Sequence, residues 1–465
     1  MMKTILFIWL TLSLSVYSSG QSISTRTGDD FGYRKYIEKT ISTIEGKKFA
    51  VFTQMNKKSL AEIENLKIKD EIPLKSYINA FSFNSKIILQ EETPKDKRSS
   101  SIKIIDTDKG LSSSKSIKVF DIGPGKKVKS YTRHTPQISK NEKYLVYRTT
   151  FTGKGQGKFI LSLFDKDLNP QWQSEFQLNS NTKITSDDIE KIHLTDNGQV
   201  YILYTIGKEK IGAKDFFLSK FGENGVEKTY KLNSKGLRKY NLFFDNDNDN
   251  DNELSLYGYL YKENKEHLYT LKINADNLSD GRESASELKG HFTLYKKQTS
   301  MDHREFLPQE DGSIIIIGEE RLTVVGEYST GYQCYDISIT KVTKEGDLLW
   351  TEKVHKVQES GNDVSFEFFQ VSNKLHLFFF DNIKNEGQPN THKLEKYVYP
   401  NKKSAFMTIS LDLDKLTLSD RSIITKLGGE INVDFKTNIK GFNADKALFQ
   451  ISNDRKFSLL EIELK

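Results

Sequence analysis

The chain of 465 residues has a single cysteine, Cys334, so no intramolecular disulfide can form within it. Stability has to come from burial of a core, which a chain of this length can supply. It also lacks any apolar run long enough to cross a bilayer: the stretch Thr4 to Val16 has 13 residues, against the roughly 20 that a spanning helix needs. Lys3 precedes that stretch and the small residues Ser18 and Gly20 follow it, which is the pattern of an export signal cut near Gln21. Residues 1–20 are therefore expected to be removed. A lipid anchor would need a cysteine directly after the cut, and none is there. The expectation is an exported, periplasmic or extracellular protein that is not lipid-anchored.

Arginine is scarce as well, 11 against 58 lysines, a usage that resembles that of AT-rich bacteria. Without Lys3, 68 basic and 63 acidic residues leave an excess of five, small and dispersed, which gives no reason to expect a nucleic-acid partner. Catalytic signatures are missing too. No Gly-x-Ser-x-Gly elbow, His-Glu-x-x-His pair or phosphate-binding glycine loop occurs, and the eight histidines are scattered. Cys334 reads as a strand residue with no neighbouring base to activate it.

What the chain does have is a repeat. Short apolar, β-forming runs follow small polar turns at Asn84, Asn141, Asn197, Asn250, Asp311, Asn373 and Asp445, spaced by 57, 56, 53, 61, 62 and 72 residues. The runs after the turns, such as Val200 to Ile206 and Ile314 to Glu320, are nearly continuously apolar, as strands buried on both faces are. Alternating runs follow them, among them Lys158 to Asp165 and Asp215 to Gly222, and then more polar ones such as Trp172 to Leu178 and Trp350 to Lys356. Each unit thus reads as a four-stranded antiparallel meander with a polar outer edge. The last unit lacks its fourth strand, and the unpaired stretches Phe49 to Met55 and Ser59 to Ile68 are candidates to supply it from the N-terminal side.

On these residues the chain, over about residues 49–465, resembles β-propeller repeat proteins in general. The fold expected is all-β, a propeller of seven four-stranded blades with six or eight as alternatives, and an N-terminal strand closing the last blade. The segment 21–48 is set apart from that domain. No particular family is implied: there is no Trp-Asp pair, only one Gly-His and one glycine pair, and Gly346 lies four residues before Trp350, where a sialidase box needs three.

In such meanders the links between second and third strands, and those between blades, fall on one face of the ring. The long links Gly123 to Thr132, Lys289 to His303, Arg321 to Cys334 and Asn382 to Ser404 are all of this kind. Three come from consecutive blades and carry the side chains that binding surfaces favour: His291, Tyr295, Lys296, Tyr328, Tyr332, His392, Lys396 and Tyr397. The expected function is a non-catalytic binding propeller, monomeric and without a membrane span, that recognises a protein or glycan through this face. The alternative is a glycan-active hydrolase or lyase, with His303 and Glu305 as acid–base groups at the channel mouth. No cofactor is expected. The run Asp245 to Glu253 offers one structural calcium site, with Asp245, Asp247, Asp249 and Glu253 as ligands, or else a solvated low-complexity turn.

Overall fold

The computed structural model describes residues 24–27, 35–43, 45–55, 57–74, 79–90, 99–121, 130–133, 136–152, 158–177, 189–206, 215–233, 243–244, 252–262, 265–287, 300–325, 330–343, 347–359, 365–391, 393–397, 403–427, 431–434, 446–453 and 456–464. These residues build eight antiparallel four-stranded sheets, seven of them meanders in sequence order from the inside of the ring outward and the eighth completed on its outer side by an N-terminal strand, some with a short additional piece. The fold is a β-propeller with eight blades, the upper of the counts expected.

Blade 1 is the additional one. Lys35–Ser42, Lys48–Gln54, Lys57–Glu64 and Lys67–Leu74 pair in that order. Its second strand contains Phe49 to Gln54, which the sequence offered as a closing strand. Phe49 and Val51 pack toward blade 2, whereas Ala50 and Phe52 pack toward Leu459 of blade 8. A strand apolar on both faces belongs between two blades, not at an edge. The closing strand is instead Ser24–Thr27, which runs antiparallel to Lys456–Glu463 with Ser24 opposite Glu463 and Thr27 opposite Leu460. The N-terminal closure holds, but it is made further upstream. The consecutive blades to which three of the long links were assigned are blades 6 and 7.

Eight apolar clusters lie in the eight seams between consecutive blades. The second strand of blade 4 shows why: Val200, Ile202 and Tyr204 join the seam with blade 3, and Tyr201 and Leu203 the seam with blade 5. Trp172 and Trp350, on outer strands, cover the ends of two of these seams.

The polar turns have a second role beyond reversing the chain. The Asn141 backbone N–H donates to Asp196 Oδ1 at 2.8 Å and its side-chain amide to the Asp196 carbonyl at 3.1 Å, joining blade 3 to blade 4. Asn84 likewise donates to Glu142, Gln199 to Asp276, and the Gln309 and Gln370 amides to each other. Asn84 and Ser85 both have φ near +50°, 45° and 58°, which matches the tight hairpin turn that a right-twisted ribbon prefers. On this face the turns of four neighbouring pairs of blades are therefore tied to each other.

Candidate functional site

On the opposite face the seam between blades 6 and 7 departs from the apolar pattern. In the second strand of blade 6, Ile314–Val325, residues Ile315 and Ile317 pack toward blade 7, and the period of two puts Glu319 on the same side. Its carboxylate is fully buried. Oε1 accepts from Lys356 Nζ at 2.7 Å, while Oε2 accepts from Arg321 Nε at 2.7 Å and from Ser365 Oγ at 2.8 Å. Lys356, equally buried, also donates to Gln358 Oε1, and Gln358 Nε2 donates to the Phe380 carbonyl of blade 7 at 2.8 Å. A β-bulge sets this up. Glu319 faces Ile337 and Arg321 faces Cys334 on the third strand, so Tyr335 and Asp336 together stand opposite Glu320.

A second buried pair lies alongside. Arg421 Nη1 donates to Asp381 Oδ2 at 2.7 Å, Nη2 donates to the His355 carbonyl and to Asn390 Oδ1, and the guanidinium lies 5.6 Å from the Phe379 ring centroid. Asp381 Oδ1 accepts from the Asn382 backbone at 2.8 Å and from Asn385 Nδ2 at 2.7 Å. Burial pushes the Asp381 carboxyl up and the Arg421 guanidinium down; their mutual attraction and these hydrogen bonds oppose both shifts. His355 Nδ1 lies 3.0 Å from Asp336 Oδ2, so the segment from His355 to Gln358 touches both ionic groups.

That segment is also tied by its backbone. Cys334 and Gln358 exchange both backbone hydrogen bonds, at 3.0 and 2.9 Å; Tyr397 N–H donates to the Val357 carbonyl and Glu359 N–H to the Tyr397 carbonyl, both at 2.9 Å. Blade 6, the inter-blade link and the long loop of blade 7 thereby share one hydrogen-bonded strip. Inside the loop, three asparagines point inward. Asn382 Nδ2 holds the Lys396 carbonyl, Asn385 holds Glu395 through both its carbonyl and its N–H, and Asn390 Nδ2 holds the Lys353 carbonyl at 2.6 Å. The loop's lysines point the other way: Lys384, Lys393 and Lys396 are exposed.

Among the residues singled out from the sequence, Lys396 and Tyr397 fall in this loop. Lys396 meets Glu359 at 3.0 Å on the surface; the Tyr397 ring is buried and stacks on Phe380 with centroids 5.7 Å apart, so its area goes to the core. Glu305 sits half-buried on the innermost strand of blade 6, Ser300–Pro308, opposite Ile317. The backbones of His303 and Tyr332 lie in strands opposite Gly318 and Thr323, and their side chains are outside the described residues. His291, Tyr295, Lys296, Tyr328, His392, Asp245, Asp247 and Asp249 also lie outside them. Glu253 opens the second strand of blade 5 and accepts from Arg282 at 2.8 Å. No group of three or more metal-ligating side chains occurs among the described residues. The sequence reading did not single out Glu319, Lys356, Asp381 and Arg421 as a group. A signal was present, since Glu319 and Asp381 each end a run otherwise apolar enough to be a buried strand.

No family model matches the chain, and no curated protein matches it. Among solved structures it is similar to the C-terminal WD40 domain of Sif2, with 10% identity, 95% of this chain and 98% of that one covered, and a TM-score of 0.45. The β-propeller domain of the trilobed protease from Pyrococcus furiosus shows 13% identity over 84% of this chain and 98% of that one, with a TM-score of 0.37. Prolyl oligopeptidase B from Galerina marginata shows 9% identity over 90% of this chain, with a TM-score of 0.41, and the chain spans 55% of its length. These likenesses concern fold.

Proposed function

We propose that the protein is an exported, non-catalytic binding propeller that recognises a protein or glycan through the long-loop face of blades 6 and 7. The observation that carries this reading is the strip of backbone and ionic contacts under that face. A loop of more than 20 residues loses much conformational entropy when ordered, and a connection serving only to reverse the chain does not require it. The second and third strands of blade 1 are joined through Met55 and residue 56 alone. Blade 7 instead holds the described part of its loop, residues 383–391 and 393–397, with Asn382, Asn385, Asn390 and the Asp381–Arg421 pair, which suits a surface that must keep its shape for a ligand.

The test is a glycan array and a pull-down with the mature chain, repeated with Tyr328→Ala and Tyr332→Ala. Tyr397 is unsuitable for this purpose because its ring is in the core. The expected outcome is a ligand whose affinity falls at least about tenfold in the tyrosine variants, with no product formed. A ligand indifferent to both changes would place recognition elsewhere. Turnover that disappears in His303→Ala or Glu305→Gln would replace binding by glycan cleavage as the function.

A further inference from the structure

The links assigned to this face are rich in basic residues. The four long links, 123–132, 289–303, 321–334 and 382–404, contain 12 basic and 4 acidic residues, a net +8, whereas the whole chain is +6 from 69 basic and 63 acidic residues. Everything else therefore sums to −2, from 57 basic and 59 acidic residues. The sheets place the ends of these links together: each joins a second strand to a third, or one blade to the next. The topology brings the ends of these links to one end of the ring, and with them the described basic residues Arg321, Lys384, Lys393, Lys396 and Lys403.

Two further features narrow the chemistry. Eleven of the twelve basic residues are lysines, and the single arginine, Arg321, is engaged with Glu319 and Ser365. Arginine's planar fork is the usual device for phosphate and nucleic acid, while lysine supplies a mobile point charge. Besides the buried Tyr397, the same links contain Tyr131, Tyr295, Tyr328, Tyr332 and Tyr399, and tyrosine is a residue type whose amphipathic face a sugar ring can lie on. In blade 7 the lysines are carried by an ordered backbone: Lys384 and Lys396 have surface carboxylates at 3.7 and 3.0 Å, and Lys393 is exposed with no ion pair among the described residues.

We infer that the ligand of the loop face is an acidic polysaccharide, a linear chain bearing carboxylate or sulfate groups at regular intervals, bound across the lysines of blade 7. This rests on the binding reading above and names its ligand chemistry. Ion pairing of this kind is strong at low salt and screened at high salt, and it depends on where the lysines are as well as on how many there are.

The experiment measures binding of the mature chain to polygalacturonate, heparin, neutral dextran and duplex DNA at about 0.05 M and about 0.5 M salt. The triple variant Lys384→Glu, Lys393→Glu, Lys396→Glu is compared with Lys109→Glu, Lys166→Glu, Lys415→Glu, which makes the same change of net charge on the turn face, and both are checked for an unchanged melting temperature. The inference expects polygalacturonate or heparin to bind at low salt, at least about tenfold more weakly in the loop variant and within about twofold of the original in the turn variant. Equal losses in both variants, binding to neither polysaccharide, or preference for DNA would overturn it. A protein or neutral glycan that binds through Tyr328 and Tyr332 but ignores the lysine reversals would overturn the acidic ligand and leave the binding face standing. Loss of both dependences would remove both.

Discussion

The seams between blades 3 and 4 and between blades 6 and 7 occupy equivalent places in the ring and are built differently. The first is apolar across its described core: Phe159, Phe176 and Phe221 form a triangle of rings with centroids 5.0 to 5.8 Å apart, and Trp172 meets Phe176 edge-on. The second is apolar only toward the turn face, where Ile315, Ile317, Phe366, Leu377 and Phe379 pack together, and becomes ionic toward the loop face. Apolar packing holds two blades side by side without fixing much else. Buried charges tolerate few alternative arrangements, because each must keep its partner. Blades 6 and 7 are thus the pair whose loop-side geometry is most narrowly specified among the described residues; the link expected over Arg321 to Cys334 is largely a paired extension of two strands, Val325 opposite Thr330, and the long loop is that of blade 7.

The largest effect that would break this contrast is on the buried pair itself. Lys356→Met leaves the Glu319 carboxylate without its buried cation and should cost about 3–5 kcal/mol. Adding Glu319→Leu should recover much of that loss, since Arg321 keeps some access to solvent and no buried charge is then left alone. In the apolar seam Phe176→Ala should cost a comparable amount, about 3–5 kcal/mol, and no second truncation at Phe221 should recover it. Denaturant titration of the original protein and of the two single and one double variants in each seam decides the matter: a Lys356→Met, Glu319→Leu double variant that loses the sum of its single losses would show that the two charges do not depend on each other.

A smaller effect sharpens the contrast by adding a third kind of seam. His376 on the second strand of blade 7, between Phe369 and Ser410 on the neighbouring strands, is 1% exposed, and neither ring nitrogen has a hydrogen-bond partner among the described residues. Burial, aided by the charge of Lys374, holds its pKa down from 6.5 to about 4. The unfolded chain then binds the extra proton first. Stability from this group is complete above about pH 6.5 and is lost as the pH falls toward about 4, by at most about 3 kcal/mol. His376→Leu should flatten that part of the stability curve relative to the original protein. Parallel curves for the two proteins between those pH values would mean that the imidazole is hydrated.

Much of the strand pattern was legible because a buried second strand and an alternating third strand have different periods. Lys158–Asp165, Val200–Ile206 and Asp215–Gly222 run as read, and the N-terminal closure was foreseen. Blade 1 escaped for local reasons. Its first strand, KYIEKTIS, is half polar, and its turn near Gly46 lacks the Asn or Asp marker of the other blades, so the strand after it looked like a spare piece. The ionic half of the candidate site was hidden by distance. Glu319 and Lys356 are 37 residues apart, Asp381 and Arg421 are 40 apart, and each looks like an ordinary surface charge until the blades are placed side by side. The facing of the loops was legible because strand direction alone decides it. The basic excess of the links is likewise legible once the residues of each link are counted together.

The most direct test of the proposed binding face is hydrogen–deuterium exchange of residues 21–465 with and without saturating polygalacturonate or heparin. Slowed exchange confined to residues 319–337 and 382–403, with the turns around Asn84, Asn141 and Asn197 unchanged, is the predicted result. Protection centred on those turns, or spread evenly over all eight blades, would contradict it.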